Sequence, residues 1–204
     1  MILLLALSFV FQPVRIKYGG GGDWYNDPEI LPNLANELKK RVPFIKVASE
    51  EKVLTLDNEE IFKYPFLFIT GHGNIYLSEN EIKNLRLYLQ NGGFVYIDDD
   101  YGLDEYFRKE IRRWFPDKEL KEVPLENPIY HIFYKFPRGL PKIHEHHEGA
   151  PKAFGIFFGD RIALLYTYNS NISDGWTTRY NDPDSLREEA IKFGINIVLY
   201  SLLF

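Results

Sequence analysis

The sequence predicts an α/β domain with a doubly wound, mainly parallel sheet that ends in a hairpin and a helix. Strand-like and helix-like segments alternate over residues 13–115, which is typical of βαβ units. Two strand-like segments, 65–70 and 94–97, are almost continuously apolar, as in strands that helices cover on both faces. A chain of 204 residues has room for one such domain, which we expect over residues 9–204.

The first predicted strand, 13–18, leads through a run of four glycines into a helix. That helix begins near Pro28 or Pro32, because proline suits the first helical turn, and ends near Arg41. We expect a second strand over 44–48, before the apolar third strand.

The next helix is predicted by a capping box, in which Ser78 and Glu81 satisfy the free N–H groups of the first turn. The glycine pair after Asn91 ends it. The fourth strand, 94–97, precedes a helix whose apolar residues recur at helical spacing over 103–115. Beyond it we expect an irregular segment over 117–153, with two short strands near 122–123 and 130–131. A hairpin over 154–168 and a final helix over 184–203 follow.

Composition excludes several classes of protein. The chain has 24 Lys and Arg against 29 Asp and Glu, so it lacks the basic excess that nucleic-acid partners require. It has no cysteine, which excludes disulfides, thiolate metal sites and a cysteine nucleophile. No serine lies in a Gly-x-Ser-x-Gly turn, so a Ser-His-Asp hydrolase is not supported.

The first eight residues are apolar and carry small residues at Ala6 and Ser8, as at a signal-peptidase site. They are shorter than a secretory signal, and no basic residue precedes Arg15. Residues 1–8 are therefore either part of a signal or an apolar strand extension, and the location is either exported (periplasmic) or cytoplasmic. The apolar C-terminal stretch is too short to span a membrane, so we expect no transmembrane segment.

Three polar loops follow predicted strands, at 19–24, 71–74 and 98–102. In open α/β sheets, ligands bind at the carboxyl ends of the strands where the strand order reverses. A flavodoxin-like order puts this switch point between the first and third strands. The glycine loop would then lie beside His72, with the aspartate loop next to both.

The glycine loop supplies four candidate ligand-binding residues, Gly20, Gly21, Asp23 and Trp24. Its backbone N–H groups could contact an anion at a helix N-terminus. Alternatively, the glycines serve positive φ angles or close packing against a neighbouring loop. The spacing matches neither a dinucleotide fingerprint nor a P-loop.

His72 lies between two glycines on the turn after the third strand, and Asn74 shares that turn. The imidazole is a candidate general base or metal ligand, and Asn74 is a candidate ligand-binding residue. The alternative for His72 is a hydrogen bond to a neighbouring loop, and we expect it to face the loop 19–23.

The aspartates at 98–100 repel one another, so at least one should be protonated, capped by N–H groups or paired with a cation. Alternation in an extended segment sends Asp98 and Asp100 to one side, and these two with His72 are the candidate catalytic residues. Alternatively, one aspartate caps the next helix and the others are solvated. We also expect one of the three to be buried with a perturbed pKa.

His144 and His146 share one face if their segment is extended, so both are candidate ligands for a divalent metal. A solvated turn is the alternative. Asp174 and Trp176 follow the last predicted strand and pair a carboxylate with an aromatic ring, which suits a cleft for a polar ring or a peptide. A tryptophan that merely anchors its loop is equally consistent with the pattern.

The chain resembles a bacterial family named domain of unknown function 4159. The resemblance covers nearly the whole chain from Phe9 and is carried by six segments: 15–28 with its four glycines, 70–74, 98–102, 128–131, 142–146 and 174–176. It implies a fold similar to class I glutamine amidotransferases, with an export signal and AAA-type ATPases of the MoxR kind or von Willebrand factor A proteins as partners. Those amidotransferases use a cysteine nucleophile, so their activity does not extend to this chain.

Two hypotheses about function follow. The first is a hydrolase that uses Asp98, Asp100 and His72, with or without a divalent metal. The second is a non-catalytic module that binds a small molecule, glycan, peptide or partner protein through Trp24 and Trp176. Convergence of the polar candidates on one site favours the first, and their scatter over the surface removes it.

Overall fold

The computed structural model describes residues 10–144 and 146–204, so the expectations for residues 1–8 lie outside the described part. The strands are β1 (Val10–Phe11), β2 (Val14–Ile16), β3 (Lys46–Val47), β4 (Lys52–Leu54), β5 (Phe66–Ile69), β6 (Phe94–Asp98), β7 (Lys121–Glu122), β8 (Lys152–Phe158) and β9 (Arg161–Tyr168). The helices are α1 (Ile30–Arg41), α2 (Glu79–Gln90), α3 (Asp104–Trp114) and α4 (Asp184–Leu203). None of these helices is long and apolar enough to cross a membrane.

Seven of the strands form one mixed sheet in the order β4-β2-β5-β6-β9-β8-β7. Neighbours from β4 to β9 are parallel, whereas β8 and β7 are antiparallel to theirs. The predicted α/β class with a mainly parallel sheet, a C-terminal hairpin and a C-terminal helix is confirmed. Strands β2, β5 and β6 are adjacent, so their three polar loops lie at the same edge of the sheet.

Helices cover both faces of the sheet. Alternate residues of each central strand point to opposite faces, and those on both faces are apolar and buried. Phe66 and Phe68 share a buried cluster with residues of α1 and α4, whereas Leu67 and Ile69 share another with residues of α2 and α3. The predicted capping box is present at Ser78, which begins α2.

The predicted second strand was misplaced. Of residues 44–48, only Lys46–Val47 are extended, and they pair with β1 in a separate two-stranded sheet. The strand that borders β2 in the main sheet is Lys52–Leu54. It is an edge strand with an exposed Val53, so it lacks the apolar run that predicts a buried strand.

The strand predicted near Tyr130 is also wrong. Residues Pro128–Tyr130 form a short 3-10 helix, and the Asn127 side chain accepts a hydrogen bond from Ile129 N at 3.0 Å. Proline has no N–H for a strand ladder but fits the first turn of a helix, which explains the difference. The other predicted short strand corresponds to β7.

Candidate functional site

The glycine loop after β2 packs directly on the loop after β5. Gly19 and Tyr76 form an antiparallel bridge, and Gly22 N donates to Asn74 O at 2.9 Å. A Cβ on Gly20 would lie 2.9 Å from Asn74 O, and one on Gly22 would lie 2.7 Å from the same atom. Close approach of two backbones therefore accounts for Gly20 and Gly22, as the packing alternative predicts.

A buried arginine on β2 fixes the rest of that loop. Arg15 is only 1% exposed, and its guanidinium donates to the carbonyl oxygens of Asn26 at 2.9 Å and Asp27 at 3.0 Å. Glu51 accepts from Arg15 Nε at 3.0 Å, which neutralises the buried charge. These bonds hold Asp27, which has a φ of +47°, at the edge of the sheet.

His72 lies between two carboxylates. Its Nδ1 is 2.9 Å from Asp23 Oδ2, and its Nε2 is 3.2 Å from Asp100 Oδ1. The hydrogen bond to Asp100, supported by the one to Asp23, raises the pKa of His72 to about 9. Both ring nitrogens face carboxylate oxygens, an arrangement that favours an imidazolium with two N–H donors. The geometry therefore does not support the predicted role of His72 as a general base or metal ligand.

Asp100 connects this pair to the loop after β9. Its Oδ2 accepts from Asn26 Nδ2 at 3.0 Å, and its Oδ1 accepts from Asn171 Nδ2 at 3.1 Å. Burial alone would raise the pKa of Asp100, but the hydrogen bond and charge of His72 outweigh it, so the pKa is lowered. Asp100 is thus a buried, ionised carboxylate.

Asn171 also donates to Asp174 Oδ2 at 3.0 Å, so its amide bridges two carboxylates. Burial raises the pKa of Asp174, and the hydrogen bond from His144 opposes that rise. Asp100 and Asp174 are therefore neighbouring carboxylates whose environments shift their pKa values in opposite directions. Such pairs are a feature of acid and base sites.

A second histidine repeats the arrangement of His72. His144 Nδ1 is 3.0 Å from Asp174 Oδ2, and its Nε2 is 3.1 Å from Asp182 Oδ1. These contacts raise the pKa of His144 to about 9, and the hydrogen bond with Asp174 has the largest effect. Both ring nitrogens are engaged, so the geometry does not support the predicted role of His144 as a metal ligand.

Three buried carboxylates converge at the centre of this network. One oxygen from each of Asp27, Asp100 and Asp174 lies within 4.8 Å of the other two. Asp27 accepts from Arg179 Nη1 at 2.5 Å and from the Tyr180 hydroxyl. We call Asp27, Asp100 and Asp174 the carboxylate centre.

Within the described part of the chain, two polar atoms of the loops around this network are buried without a hydrogen-bond partner. One is Asn171 Oδ1, on a residue that is 1% exposed, and the other is His146 Nε2. The ring of His146 packs against Tyr101, with 5.4 Å between the ring centroids. Burial lowers the pKa of His146, although the charges of Asp100 and Asp174 act to raise it.

The other two aspartates of the triplet do not reach the carboxylate centre. Asp98 is 1% exposed and accepts from the Thr167 hydroxyl and from Ser173 N at 2.6 Å, so it ties β6 to the loop after β9. Burial raises the pKa of Asp98 to about 6 and, together with the charge of Asp104, that of Asp99 to about 8. One buried aspartate with a perturbed pKa was expected, whereas all three are buried, with the pKa raised at Asp98 and Asp99 and lowered at Asp100.

The two candidate tryptophans have different positions. Trp176 is buried in the core, where its ring packs against Phe68 and its Nε1 donates to Ala190 O at 3.0 Å. It anchors its loop and does not line a cleft, which corrects the ligand-binding prediction. Trp24 is half-buried beside an exposed Tyr25 and stays a candidate.

Of the predicted site residues, the structure brings together Asp23, His72, Asp100, His144, His146 and Asp174. Asn74 is exposed and donates to Gly20 O at 3.1 Å, and Gly21 has open space around it, so both lie on the glycine-loop side of the site. Sequence reasoning missed several members: Asp27, Asn171, Arg179, Tyr180 and Asp182. Asn171 had a signal, because it follows β9 in a polar run at a strand end.

A search of curated proteins finds no match to the chain. The family model described as a domain of unknown function, DUF4159, matches residues 13–202. That range includes the carboxylate centre and all the polar residues that surround it. The match agrees with the resemblance seen in the motifs, and the chain belongs to the DUF4159 family.

Proposed function

We propose that the chain is a hydrolase whose reacting groups are those of the carboxylate centre, with a divalent cation as its cofactor. The observation that carries the proposal is the convergence of Asp27, Asp100 and Asp174 within 4.8 Å of one another. The three carboxylates are buried at the carboxyl edge of the parallel strands, which is the edge where ligand sites occur in this architecture.

The charges in this part of the chain favour a cation. Among the described residues of the network, five carboxylates face three cationic groups: Asp23, Asp27, Asp100, Asp174 and Asp182 against His72, His144 and Arg179. Buried carboxylates that exceed their cationic partners are stable when protonated or when a cation joins them. A divalent cation would balance the excess, and when bound it would lower the pKa of a water molecule.

The protein side chains around the centre have separate roles in this proposal. In this proposal the N–H groups of His72 and His144 donate hydrogen bonds to Asp100 Oδ1 and Asp174 Oδ2 and so orient the two carboxylates. The Asn171 amide sets the spacing between the same two carboxylates. A carboxylate oxygen not occupied by the cation would accept the proton of the attacking water.

The test is hydrolysis of chromogenic esters, phosphate esters, amides and glycosides, with Mg²⁺, Mn²⁺ or Zn²⁺ added. We expect one class to be hydrolysed in a cation-dependent way and the Asp100→Asn and Asp174→Asn variants to lose about 100-fold in rate. Asp160→Asn, in the exposed turn between β8 and β9, is the matched control and should keep full activity. If both Asp100→Asn and Asp174→Asn keep the hydrolysis rate of the unaltered chain, the proposal is contradicted.

A second function is favoured by the aromatic residues around the acidic centre. Tyr25, Tyr101 and Tyr180 are exposed, and Tyr180 contacts both Asp27 and His144. Aromatic faces over carboxylates suit a cationic group of a peptide or the ring of a glycan. The non-catalytic binding module therefore stays the alternative, and saturable binding without turnover would favour it.

We infer a flavodoxin-like class for the sheet from its strand order. Numbered along the chain, the parallel strands β2, β4, β5, β6 and β9 lie in the order 2-1-3-4-5. The likeness to class I glutamine amidotransferases, the partnership with a MoxR-type ATPase or a von Willebrand factor A protein, and export are predictions from the family resemblance.

A further inference from the structure

The amide of Asn171 is satisfied at its nitrogen and unsatisfied at its oxygen. Its Nδ2 donates to Asp100 Oδ1 at 3.1 Å and to Asp174 Oδ2 at 3.0 Å, so both N–H groups are used. Its Oδ1 is buried without a hydrogen-bond partner in the described part of the chain, on a residue that is 1% exposed. A buried acceptor without a partner costs free energy, and such an atom indicates a missing ligand.

The neighbours of Asn171 fix the orientation of its amide. If the group were turned over, its oxygen would face two carboxylate oxygens and no donor, so Nδ2 must lie between them. One N–H of a planar amide is cis to the oxygen, so Oδ1 lies on the side of one of the two carboxylates that the amide bridges. Both of these carboxylates belong to the carboxylate centre, and the unsatisfied oxygen therefore lies next to it.

The backbone conformation of Asn171 does not explain the buried oxygen. Its φ is +51°, a value that asparagine and glycine adopt more readily than other residues. That preference accounts for an asparagine or a glycine at this position, but it gives the amide oxygen no partner. An amide oxygen is an acceptor, and beside carboxylates, which are also acceptors, a cation satisfies all of these oxygens at once.

We propose that Asn171 Oδ1 is the fourth oxygen ligand of the cation at the carboxylate centre, which makes the centre an all-oxygen site for Mg²⁺, Mn²⁺ or Ca²⁺. The inference rests on the proposed function, because it names a further ligand and the class of cation at the same centre. Carboxylate and amide oxygens suit these cations, whereas imidazole nitrogen is typical of Zn²⁺, Cu²⁺ and Ni²⁺ sites. The rings of His72 and His144 contact the carboxylates and lie outside the set of ligands.

The first test uses the full chain freed of metal by a chelator and titrated with Mg²⁺, Mn²⁺ and Ca²⁺ in a calorimeter. Asn171→Gly removes the amide but adopts the positive φ without strain, so it should fold and lose about tenfold or more in cation affinity. Asn171→Asp restores an oxygen ligand and should bind at least as tightly as the unaltered chain. Asn91→Gly is the matched control and should leave the affinity unchanged, since Asn91 is exposed at the end of α2, before β6 begins at the opposite edge of the sheet.

A second readout separates a ligand from a residue that only spaces the carboxylates. Pulsed electron paramagnetic resonance is measured on the Mn²⁺ complex of a chain whose asparagines carry ¹³C at the side-chain carbonyl. Coupling of Mn²⁺ to ¹³C should be present in the unaltered chain and in Asn91→Gly and absent from Asn171→Gly, with no coupling to imidazole ¹⁴N in any of them. Circular dichroism checks folding, and Asn171→Asp, which also lacks the labelled amide, replaces Asn171→Gly if the latter does not fold.

The outcomes distinguish this inference from the proposed function. The inference is wrong, while the carboxylate centre stands, if Asn171→Gly binds the cations as tightly as the unaltered chain. It is equally wrong if the ¹³C coupling is missing from the unaltered chain or survives without the Asn171 amide, or if imidazole ¹⁴N coupling is found. If no dication binds the unaltered chain, the proposed function is wrong as well.

Discussion

Replacement of His144 by alanine should destabilise the metal-free protein in a pH-dependent way. The imidazolium lies between Asp174 and Asp182, its side chain is 22% exposed, and its pKa rises from 6.5 to about 9 on folding. At about 1.4 kcal/mol for each tenfold change in proton affinity, this difference corresponds to at most about 3.5 kcal/mol. His144→Ala should therefore lower the free energy of unfolding by about 3 kcal/mol at pH 6.

The pH dependence has a definite sign. Because the folded protein holds the His144 proton more tightly than the unfolded chain, this stabilisation is complete below about pH 6.5 and is lost as the pH rises towards 9. Urea unfolding of the unaltered chain, His144→Ala and the control His147→Ala at pH 6, 7.5 and 9.5 measures it. A difference between His144→Ala and the unaltered chain that stays constant over this range, or that grows, would refute the reasoning.

Three further variants test the roles assigned to buried residues. Asp98→Asn should lower the free energy of unfolding by about 1–3 kcal/mol, because one of the two oxygens that accept from Thr167 and Ser173 becomes an NH₂ group. An unchanged urea midpoint would contradict this. Gly20→Ala and Gly21→Ala both place a side chain at a positive φ, but only the Cβ added at position 20 would contact backbone atoms. The thermal unfolding midpoint of Gly20→Ala should therefore fall further than that of Gly21→Ala, and equal losses would argue against loop packing. Trp176→Phe should cost about 1–3 kcal/mol, because it removes the hydrogen bond to Ala190 O and part of a buried ring. Mn²⁺ affinity in calorimetry should be unchanged, and lost affinity with an intact fold would return Trp176 to the site.

The central strands were predictable because their residues obey strong local rules. Segments 65–70 and 94–97 are apolar at nearly every position, and a strand buried on both faces requires that pattern. The capping box at Ser78 likewise marks a helix start by local hydrogen bonding alone. Lys52–Leu54 shows no such pattern, because an edge strand with an exposed face tolerates polar residues.

Part of the candidate site followed from the position of loops at strand ends. The switch-point rule placed His72 against the glycine loop and Asp100 beside both, and these contacts are present. The sequence could not show which aspartate of the triplet faces the site. Asp98 is drawn inward by Thr167 and Ser173, which lie 69 and 75 residues further along the chain.

The remaining members depend on long-range folding. Asp27 reaches the carboxylate centre because buried Arg15 holds the carbonyls of its loop, and nothing local to Asp27 indicates this. The different states of His144 and His146 are also set by tertiary partners. Asp182 contacts His144 from 38 residues away, whereas His146 Nε2 meets no partner in the described chain.

The most direct test of the carboxylate centre is crystallographic. Crystals of the full chain soaked in Mn²⁺ and measured near the manganese absorption edge locate the cation by its anomalous scattering. The account predicts a peak among Asp27, Asp100 and Asp174, about 2.0–2.6 Å from at least two of their carboxylate oxygens. A map with no peak there, while Mn²⁺ is bound at other carboxylates of the same crystal, would contradict it.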